Sequence, residues 1–205
     1  MKENKKPRIC LFVDGSNLYA GQYELFGPKK YLSFSEFVKQ AEEKLKIVFT
    51  QIYFYASYSP TPKKPTKKQK EYLKNEALFY KNVKRTKNVI FFKGYRSKTS
   101  GKEKEVDVKL SVDLVGMGLL GKYEQAYLIS GDADFLQAIF FVKKHYPQKI
   151  IGLICLNNKI MYKGLYYLPS WVVEFEKKVV RPRKIARKTK IIYIKKTAEL
   201  CPRLS

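Results

Sequence analysis

A chain of 205 residues, of which 45% are apolar, is long enough for one domain with a full core, and this composition excludes a disordered protein. The 42 lysine and arginine residues outnumber the 18 acidic ones and give a formal net charge of +24, which favours a polyanionic partner, nucleic acid before an anionic membrane surface. No apolar run approaches the roughly 18 residues that a membrane span needs, and the first run, 9–13, is too short for a signal peptide.

Apolar runs of strand length alternate with segments of helical periodicity along the chain. Strands are expected at 9–14, 47–57, 88–95, 125–130, 149–156 and 170–175. Helices are expected at 15–25, 33–45, 70–81, 106–120, 134–146 and 160–167. Ser33 and Glu36 have capping-box spacing at the start of the second helix. The alternation predicts an α/β fold with a mostly parallel central sheet that helices cover on both faces.

Cysteine and histidine are poor candidates for catalysis in this chain. The three cysteines, Cys10, Cys155 and Cys201, lack the spacing of metal ligands and are odd in number, which predicts reduced thiols and a cytoplasmic location. The single histidine, His145, cannot by itself form a histidine metal site or a catalytic triad, and it is expected at a helix end.

Aspartate is rare and concentrated in three short segments with apolar flanks. The five aspartates are Asp14, Asp107, Asp113, Asp132 and Asp134. Asp14 ends the first predicted strand, Asp132 and Asp134 follow the fourth, and Asp107 lies in the first turn of a helix. Because sites of parallel sheets gather at the carboxyl ends of strands, we expect these four carboxylates at one edge.

Four crowded carboxylates repel one another unless a cation or bound protons offset their charge. With neither histidine nor cysteine nearby, the ligands are oxygens, which predicts Mg²⁺ or Mn²⁺. Asp113 follows Asp107 by six residues, about 120° around a helix. It is therefore expected to support the site or hold the neighbouring loop rather than bind the same ion.

Each of these segments also has a purely structural interpretation. Residues 15–17 are typical of a turn with a helix cap, and Asp134 is typical of the N-cap of the helix that follows it. Asp107, at a helix start, is stabilised by the helix dipole whether or not a metal is bound. In the aromatic run 52–58, core packing is the preferred interpretation, with base stacking by Tyr55 or Tyr58 as the alternative.

Basic segments flank and interrupt the predicted domain, which spans 8–176 after a lead-in at 1–7. In the basic tail, 177–205, the stretch KIIYIKK either adds an edge strand or lies loose. Two lysine-rich loops, 59–69 and 96–105, are interpreted as solvated or, because they leave strand ends on the acidic side, as phosphate contacts. The candidate nucleic-acid-binding residues are Lys63, Lys64, Lys67, Lys68, Arg96, Lys98, Lys102 and Lys104.

Three segments, VDGSNLY at 13–19, KEVDVKLSVDL at 104–114 and LISGDADF at 128–135, resemble the signature segments of NYN domains, the LabA-like branch of the PIN-like nuclease superfamily. The resemblance spans roughly 8–176 and implies a three-layer, PIN-like/Rossmannoid α/β fold with metal-dependent ribonuclease chemistry. By position it implies a catalytic, metal-binding set of Asp14, Asp107, Asp132 and Asp134, accompanied by Asn17. Ser130 and Asp113 are expected to support the site. Glu105 departs from the family pattern, which often has Gly there.

The leading hypothesis is a metal-dependent ribonuclease that acts on single-stranded or structured RNA. The alternative is a nucleic-acid-binding regulatory module of the same fold without cleavage. A phosphatase of the haloacid-dehalogenase type needs a second aspartate at the position of Ser16, and no G-x-G-x-x-G follows the first strand, so phosphatase and dinucleotide chemistry are disfavoured. A membrane partner is not expected, and a homodimer is allowed for such a fold although no stretch predicts one.

Overall fold

A seven-stranded parallel sheet forms the centre of the structure, a computed structural model that describes residues 6–27, 30–96, 103–175, 189–194 and 198–200. In chain order the strands are β1 (Ile9–Asp14), β2 (Lys30–Leu32), β3 (Gln51–Ala56), β4 (Val89–Lys93), β5 (Tyr95–Arg96), β6 (Glu103–Lys104), β7 (Gln125–Ile129), β8 (Ile150–Leu156), β9 (Ser170–Glu174), β10 (Thr189–Tyr193) and β11 (Ala198–Leu200). The helices are α1 (Gly15–Phe26), α2 (Phe34–Leu45), α3 (Lys67–Arg85), α4 (Val106–Leu119), α5 (Leu136–His145) and α6 (Tyr162–Tyr167), with a 3-10 turn at Ala133–Phe135.

The order in which strands are added to the sheet reverses at β1. The sheet runs β10-β9-β8-β7-β1-β3-β4 with every pair parallel, while β2–β11 and β5–β6 are small antiparallel pairs. After β1 the chain builds β3 and β4 on one side, then returns past β1 to build β7 and β8 on the other. The carboxyl ends of β1 and β7 therefore flank the crevice where α/β sheets bind ligands.

Alternating side chains of the strands feed two separate cores. In β1, Leu11 and Val13 pack with α1, α2 and α3, whereas Cys10 and Phe12 pack with α4, α5 and α6. Because successive strand residues point to opposite faces, a strand covered on both sides needs a continuous apolar run. The three-layer α/β fold predicted from the sequence is thereby confirmed.

Element boundaries differ from the prediction where local hydrogen bonds decide them. The predicted capping box at Ser33 is wrong, since the Ser33 side chain does not cap α2 and the Phe34 N–H donates instead to Asn82 Oδ1 of α3 (2.8 Å). A capping box forms at Thr66 and Gln69, so α3 begins at Lys67 rather than 70.

The remaining differences lie in short strands. The strand expected at 47–57 begins only at Gln51. Part of the loop expected at 96–105 pairs as β5–β6, and residues 97–102 lie outside the described residues. Of the two alternatives for KIIYIKK, the structure has the edge strand, because β10 pairs with β9. Among the described residues, no helix combines the length and apolar character needed to cross a membrane.

Candidate active site at the carboxyl ends of β1 and β7

Asp14 connects the end of β1 to the start of α1 and to the segment after β7. Its carboxylate, in a residue only 5% exposed, accepts a hydrogen bond at Oδ1 from the Asn17 N–H (3.0 Å) and another at Oδ2 from the Ser130 hydroxyl (2.9 Å). The first bond caps α1 at its N-terminus. The helix cap expected within residues 15–17 is thus Asp14, and residues 15–17 form the first turn of α1.

Ser130 and Asn17 lock the two strand-end segments together. The buried Ser130 hydroxyl, which donates to Asp14, accepts from the Asp132 N–H (3.0 Å). Asn17 Oδ1 accepts from the Gly131 N–H (3.0 Å). Two residues predicted to support the site are thus the ones that hold residues 130–132 against residues 14–17.

Asp132 and Asp134 have different surroundings. Asp132 is half-buried, and its Oδ1 accepts from the Asp134 N–H (2.9 Å), which caps the 3-10 turn. The structural interpretation of Asp134 as the N-cap of the following helix is wrong, because Asp134 lies inside the 3-10 turn that Asp132 caps and Phe135 occupies the N-cap position of α5. Asp134 is exposed in this turn.

Asp107 lies exposed in the first turn of α4, as the sequence indicates. The preceding Glu105 has a φ of 70°, in the left-handed region that favours glycine. Glycine, the residue that the resemblance leads us to expect at this position, adopts this conformation without strain. The Glu105 side chain is exposed, so its carboxylate faces solvent.

Asp113 belongs to a contact between α4 and β3. The buried Tyr55 donates its hydroxyl to Asp113 Oδ2 (2.8 Å), and Lys109 Nζ donates to Asp113 Oδ1 (2.6 Å). Burial raises the pKa of Tyr55, and the bond to Asp113 raises it further. Base stacking by Tyr55 is excluded, because the ring is part of the core. The ring of Tyr58 is half-buried. The Nζ atoms of Lys84 and Lys93 lie 5.5 and 5.4 Å from its centroid.

Thiols and imidazole take no part in the described network as metal ligands. Burial raises the pKa of Cys155 to about 12 and that of Cys10 to about 11, so both remain protonated. Cys155 Sγ donates to Ser130 O (3.3 Å), and the His145 ring lies tilted against the Phe141 ring at the end of α5. Within the described ranges, no three Asp, Glu, His or Cys side chains are grouped so that they could hold a metal ion. The four-aspartate metal set therefore stays a prediction.

The basic residues predicted to contact nucleic acid are described only in part. Lys63, Lys64, Lys67 and Lys68 are exposed between the carboxyl end of β3 and the first turn of α3. Lys98 and Lys102 lie outside the described residues. Arg96 and Lys104 are described by their backbone alone, in β5 and β6.

Two structural supports of this edge escaped sequence reasoning. The buried Glu76 of α3 accepts from the Ser59 hydroxyl (2.7 Å) and N–H (2.8 Å) and so anchors the start of the lysine-rich loop. Lys159 lies against Gly131, where an added Cβ would be 2.6 Å from Lys159 O. Nothing in the sequence signals Glu76, whereas the glycine between Ser130 and Asp132 is a usable sign of close backbone approach.

The fold and the site together define a class of protein. It is a three-layer α/β protein with a carboxylate network at the strand, β1, where the strand order reverses. The fold is similar to a crystal structure of a protein of unknown function, VPA0982 from Vibrio parahaemolyticus RIMD 2210633, with a TM-score of 0.56 and 16% identity over 84% of this chain and 95% of that one. This likeness shows the fold alone. No curated protein sequence matches the chain.

The sequence model of the NYN domain matches residues 8–159, which is more than half of the chain, so the chain belongs to the NYN domain family. NYN domains are PIN-like, and the family is generally nuclease-like. The matched range contains all five aspartates and both strand-end segments of the network.

Proposed function

We propose that the chain is a metal-dependent ribonuclease that hydrolyses RNA phosphodiester bonds at the carboxyl ends of β1 and β7. The observation that carries this proposal is the Ser130 hydroxyl, which joins the Asp14 carboxylate to the Asp132 backbone. Two signature segments that are distant in sequence thus meet in one hydrogen-bond network. Membership of a nuclease-like family supports the reaction class, and the LabA-like branch is part of the proposal.

The donor chemistry of the site fits Mg²⁺ or Mn²⁺. Carboxylate oxygens are the ligands that these hard cations prefer, and Mg²⁺ is commonly held by one or two carboxylates together with water and substrate phosphates. Asp14 and Asp132 would hold the ion, with Asp107 and Asp134 as further ligands. Bound there, the ion supplies Lewis acidity that activates water and offsets charge on the leaving oxygen.

The chain's own residues position the carboxylates and the RNA. Ser130 and Asn17 fix the two strand-end segments, so little reorganisation is needed when substrate binds. Lys63 and Lys64 of the loop after β3 and Lys67 and Lys68 at the start of α3 are exposed, and in this proposal they contact phosphates. The formal charge of +24 concentrates a polyanion at the surface. The free thiols of Cys10 and Cys155 accord with a cytoplasmic protein.

A nucleic-acid-binding module without cleavage is the second candidate. In its favour, Asp14 and Asp132 each cap the start of a helical segment, so their network has a structural use whether or not a metal binds. This candidate keeps the basic surface and the fold, and it predicts RNA binding that is unaffected by neutralising Asp132.

The deciding experiment is cleavage of end-labelled single-stranded RNA with Mn²⁺ by the wild type, Asp132→Asn and Asp113→Asn. We expect Asp132→Asn to lower the rate by on the order of 10³-fold, because it removes a ligand charge. Asp113→Asn should stay within about threefold, since its partners are Lys109 and Tyr55.

All three proteins are purified identically, because a chain this basic retains contaminating nucleases. Chelation by EDTA should abolish the activity. Equal cleavage by wild type and Asp132→Asn, or no cleavage by a wild type that still binds RNA, would favour the binding module.

A further inference from the structure

The short helix α6 has an apolar inner face and an aromatic outer face. Leu165 and Leu168 are fully buried, and Gly164 lies so close to β8 that an added Cβ would be 2.8 Å from Leu153 Cδ2. On the outer side, Tyr162 and Tyr166 are 50% and 62% exposed. Residues four apart on a helix are neighbours on its surface, so the two rings form one patch. The core does not require these rings, because the inner face alone attaches the helix.

The surroundings of this patch are basic. From Phe135 to Val173 the chain contains no aspartate or glutamate and five lysines. Lys163 is exposed beside Tyr162, and Lys143 and Lys144 are exposed on α5. Lys159 is paired with Glu24 of α1 at 2.7 Å. An aromatic surface flanked by several exposed ammonium groups fits a polyanion that carries flat rings.

The patch is connected directly to the candidate active site. Lys159 contacts Gly131, and Asn158 Nδ2 donates to Gly21 O of α1 (2.9 Å). Tyr162 follows Lys159 by three residues, so their Cα atoms are at most about 11 Å apart. A strand bound at Asp132 therefore needs only a few further nucleotides to reach α6.

We propose that Tyr162 and Tyr166 form a base-stacking platform for single-stranded RNA, on the β8 side of the acidic site. The inference rests on the proposed function for its substrate and adds a preference for unpaired bases. Stacking on an aromatic ring requires that a base be free of its partner strand, whereas phosphate contacts do not distinguish single strands from duplexes in this way. The lysine-rich loop after β3 and the α6 platform then hold the strand on opposite sides of the aspartates.

The test is equilibrium binding of a fluorescein-labelled 12-nucleotide RNA, alone and annealed to its complement, measured by anisotropy in EDTA with the full chain. For Tyr162→Leu/Tyr166→Leu we expect single-strand affinity to fall roughly ten- to hundredfold, because two stacking contacts are lost. Duplex affinity should change less than about twofold, and the dependence of log affinity on log salt should keep its slope, because the phosphate contacts are unchanged.

Two control variants separate stacking from other effects. Tyr162→Phe/Tyr166→Phe keeps both rings and should bind the single strand within about threefold of wild type. Tyr193→Leu alters a tyrosine of similar exposure, 51%, on β10 and should have no effect. If the double leucine variant does not fold by circular dichroism, Tyr166→Leu alone decides, with the smaller expected loss of about fivefold or more.

Several outcomes would overturn the platform. These are unchanged single-strand affinity in the leucine variant, an equal loss for the duplex, a loss in the phenylalanine variant as large as in the leucine variant, or a wild type that binds no single strand. A wild-type dimer in sedimentation that the leucine variant abolishes would identify the patch as an interface between copies instead. Because binding is measured without metal, a chain that does not cleave RNA but shows the selective loss would refute the nuclease and keep the platform.

Discussion

Asp14 and Asp113 are both largely buried aspartates that accept two side-chain or backbone hydrogen bonds, yet they connect different parts of the molecule. Asp14 ends a strand at the switch point and receives the Asn17 N–H and the Ser130 hydroxyl. Asp113 lies two turns inside α4 and receives the Lys109 ammonium and the Tyr55 hydroxyl. The first arrangement joins two chain segments, 14–17 and 130–132, at the carboxyl edge, and the second fastens a helix to the sheet.

The difference shows that sequence neighbourhood alone does not assign an aspartate to a site. A carboxylate beside a lysine one helical turn away already has a counter-ion, so its neutralisation should cost stability and little activity. A carboxylate at the end of a central parallel strand points to the region where ligands bind. Variants of the two networks should therefore fail in different measurements.

Among the variants that test this comparison, Ser130→Ala is expected to have the largest effect, a loss of cleavage rate. The change removes the hydroxyl that joins Asp14 Oδ2 to the Asp132 N–H, and both groups lose a partner. Residues that orient metal-binding carboxylates typically contribute 10- to 100-fold, so we expect cleavage to fall by about that factor. The apparent affinity for Mn²⁺, obtained from rates at increasing Mn²⁺ concentration, should fall with it.

The matched control for Ser130→Ala is Ser111→Ala on α4, which removes a hydroxyl from a half-buried position outside the strand-end network. A Ser130→Ala variant that cleaves at the wild-type rate with unchanged Mn²⁺ dependence would show that the network is only structural.

A smaller effect, on stability alone, is expected from Tyr55→Phe. Removing the hydroxyl leaves Asp113 with the Lys109 ammonium and one vacant acceptor, which should cost about 1–2 kcal/mol in the free energy of unfolding. Urea denaturation measures this cost. Cleavage should stay near the wild-type rate, and in the double variant with Asp113→Ala the two costs should not add, because both changes remove the same bond. Additive costs would show that Tyr55 and Asp113 act separately.

The sequence was sufficient to predict the three-layer fold because continuous apolar runs identify strands buried on both faces. It also predicted the position of Asp14 and Asp132, since both follow directly from the ends of such runs. The same reasoning predicted that Asp113 would not bind one ion together with Asp107, because six residues on a helix turn it away. In the structure Asp113 bonds to Lys109 and Tyr55 instead.

Contacts between distant segments could not be predicted in the same way. The Ser33 capping box does not form, and the Glu36 side chain accepts instead from Gln40 Nε2, while Asn82, 48 residues further along, accepts from the Phe34 N–H. The bond from Tyr55 to Asp113 depends on the packing of α4 across β3, and no periodicity reports it. At Glu105 the structure adds a reason that the sequence lacked. The sequence shows only that Glu stands where the resemblance leads us to expect Gly, and the φ of 70° is one that glycine adopts more readily.

The smallest expected effect on stability concerns a third carboxylate, that of Glu174. It extends the comparison of Asp14 with Asp113 because it accepts no hydrogen bond in the described part of the chain. Glu174 of β9 is fully buried, and neither carboxylate oxygen has a hydrogen-bond partner in the part of the chain that the structure describes. Burial raises its pKa above the ordinary value of 4.5. The folded state therefore holds the proton to higher pH than the unfolded state, and ionisation above that range disfavours folding.

Glu174→Gln should consequently raise the free energy of unfolding at pH 7, since it removes the group whose ionisation disfavours folding. The gain should shrink as the pH falls toward 4.5, the ordinary value, where both states become protonated. Urea unfolding at pH 7 and pH 4.5 measures the difference. Glu124→Gln is the control of opposite sign, because hydrogen bonds from Arg8 lower the pKa of Glu124 and its ionised form favours folding above that range. A Glu174→Gln variant less stable than wild type at pH 7 would show that this carboxylate has a partner, and that it resembles Asp113 after all.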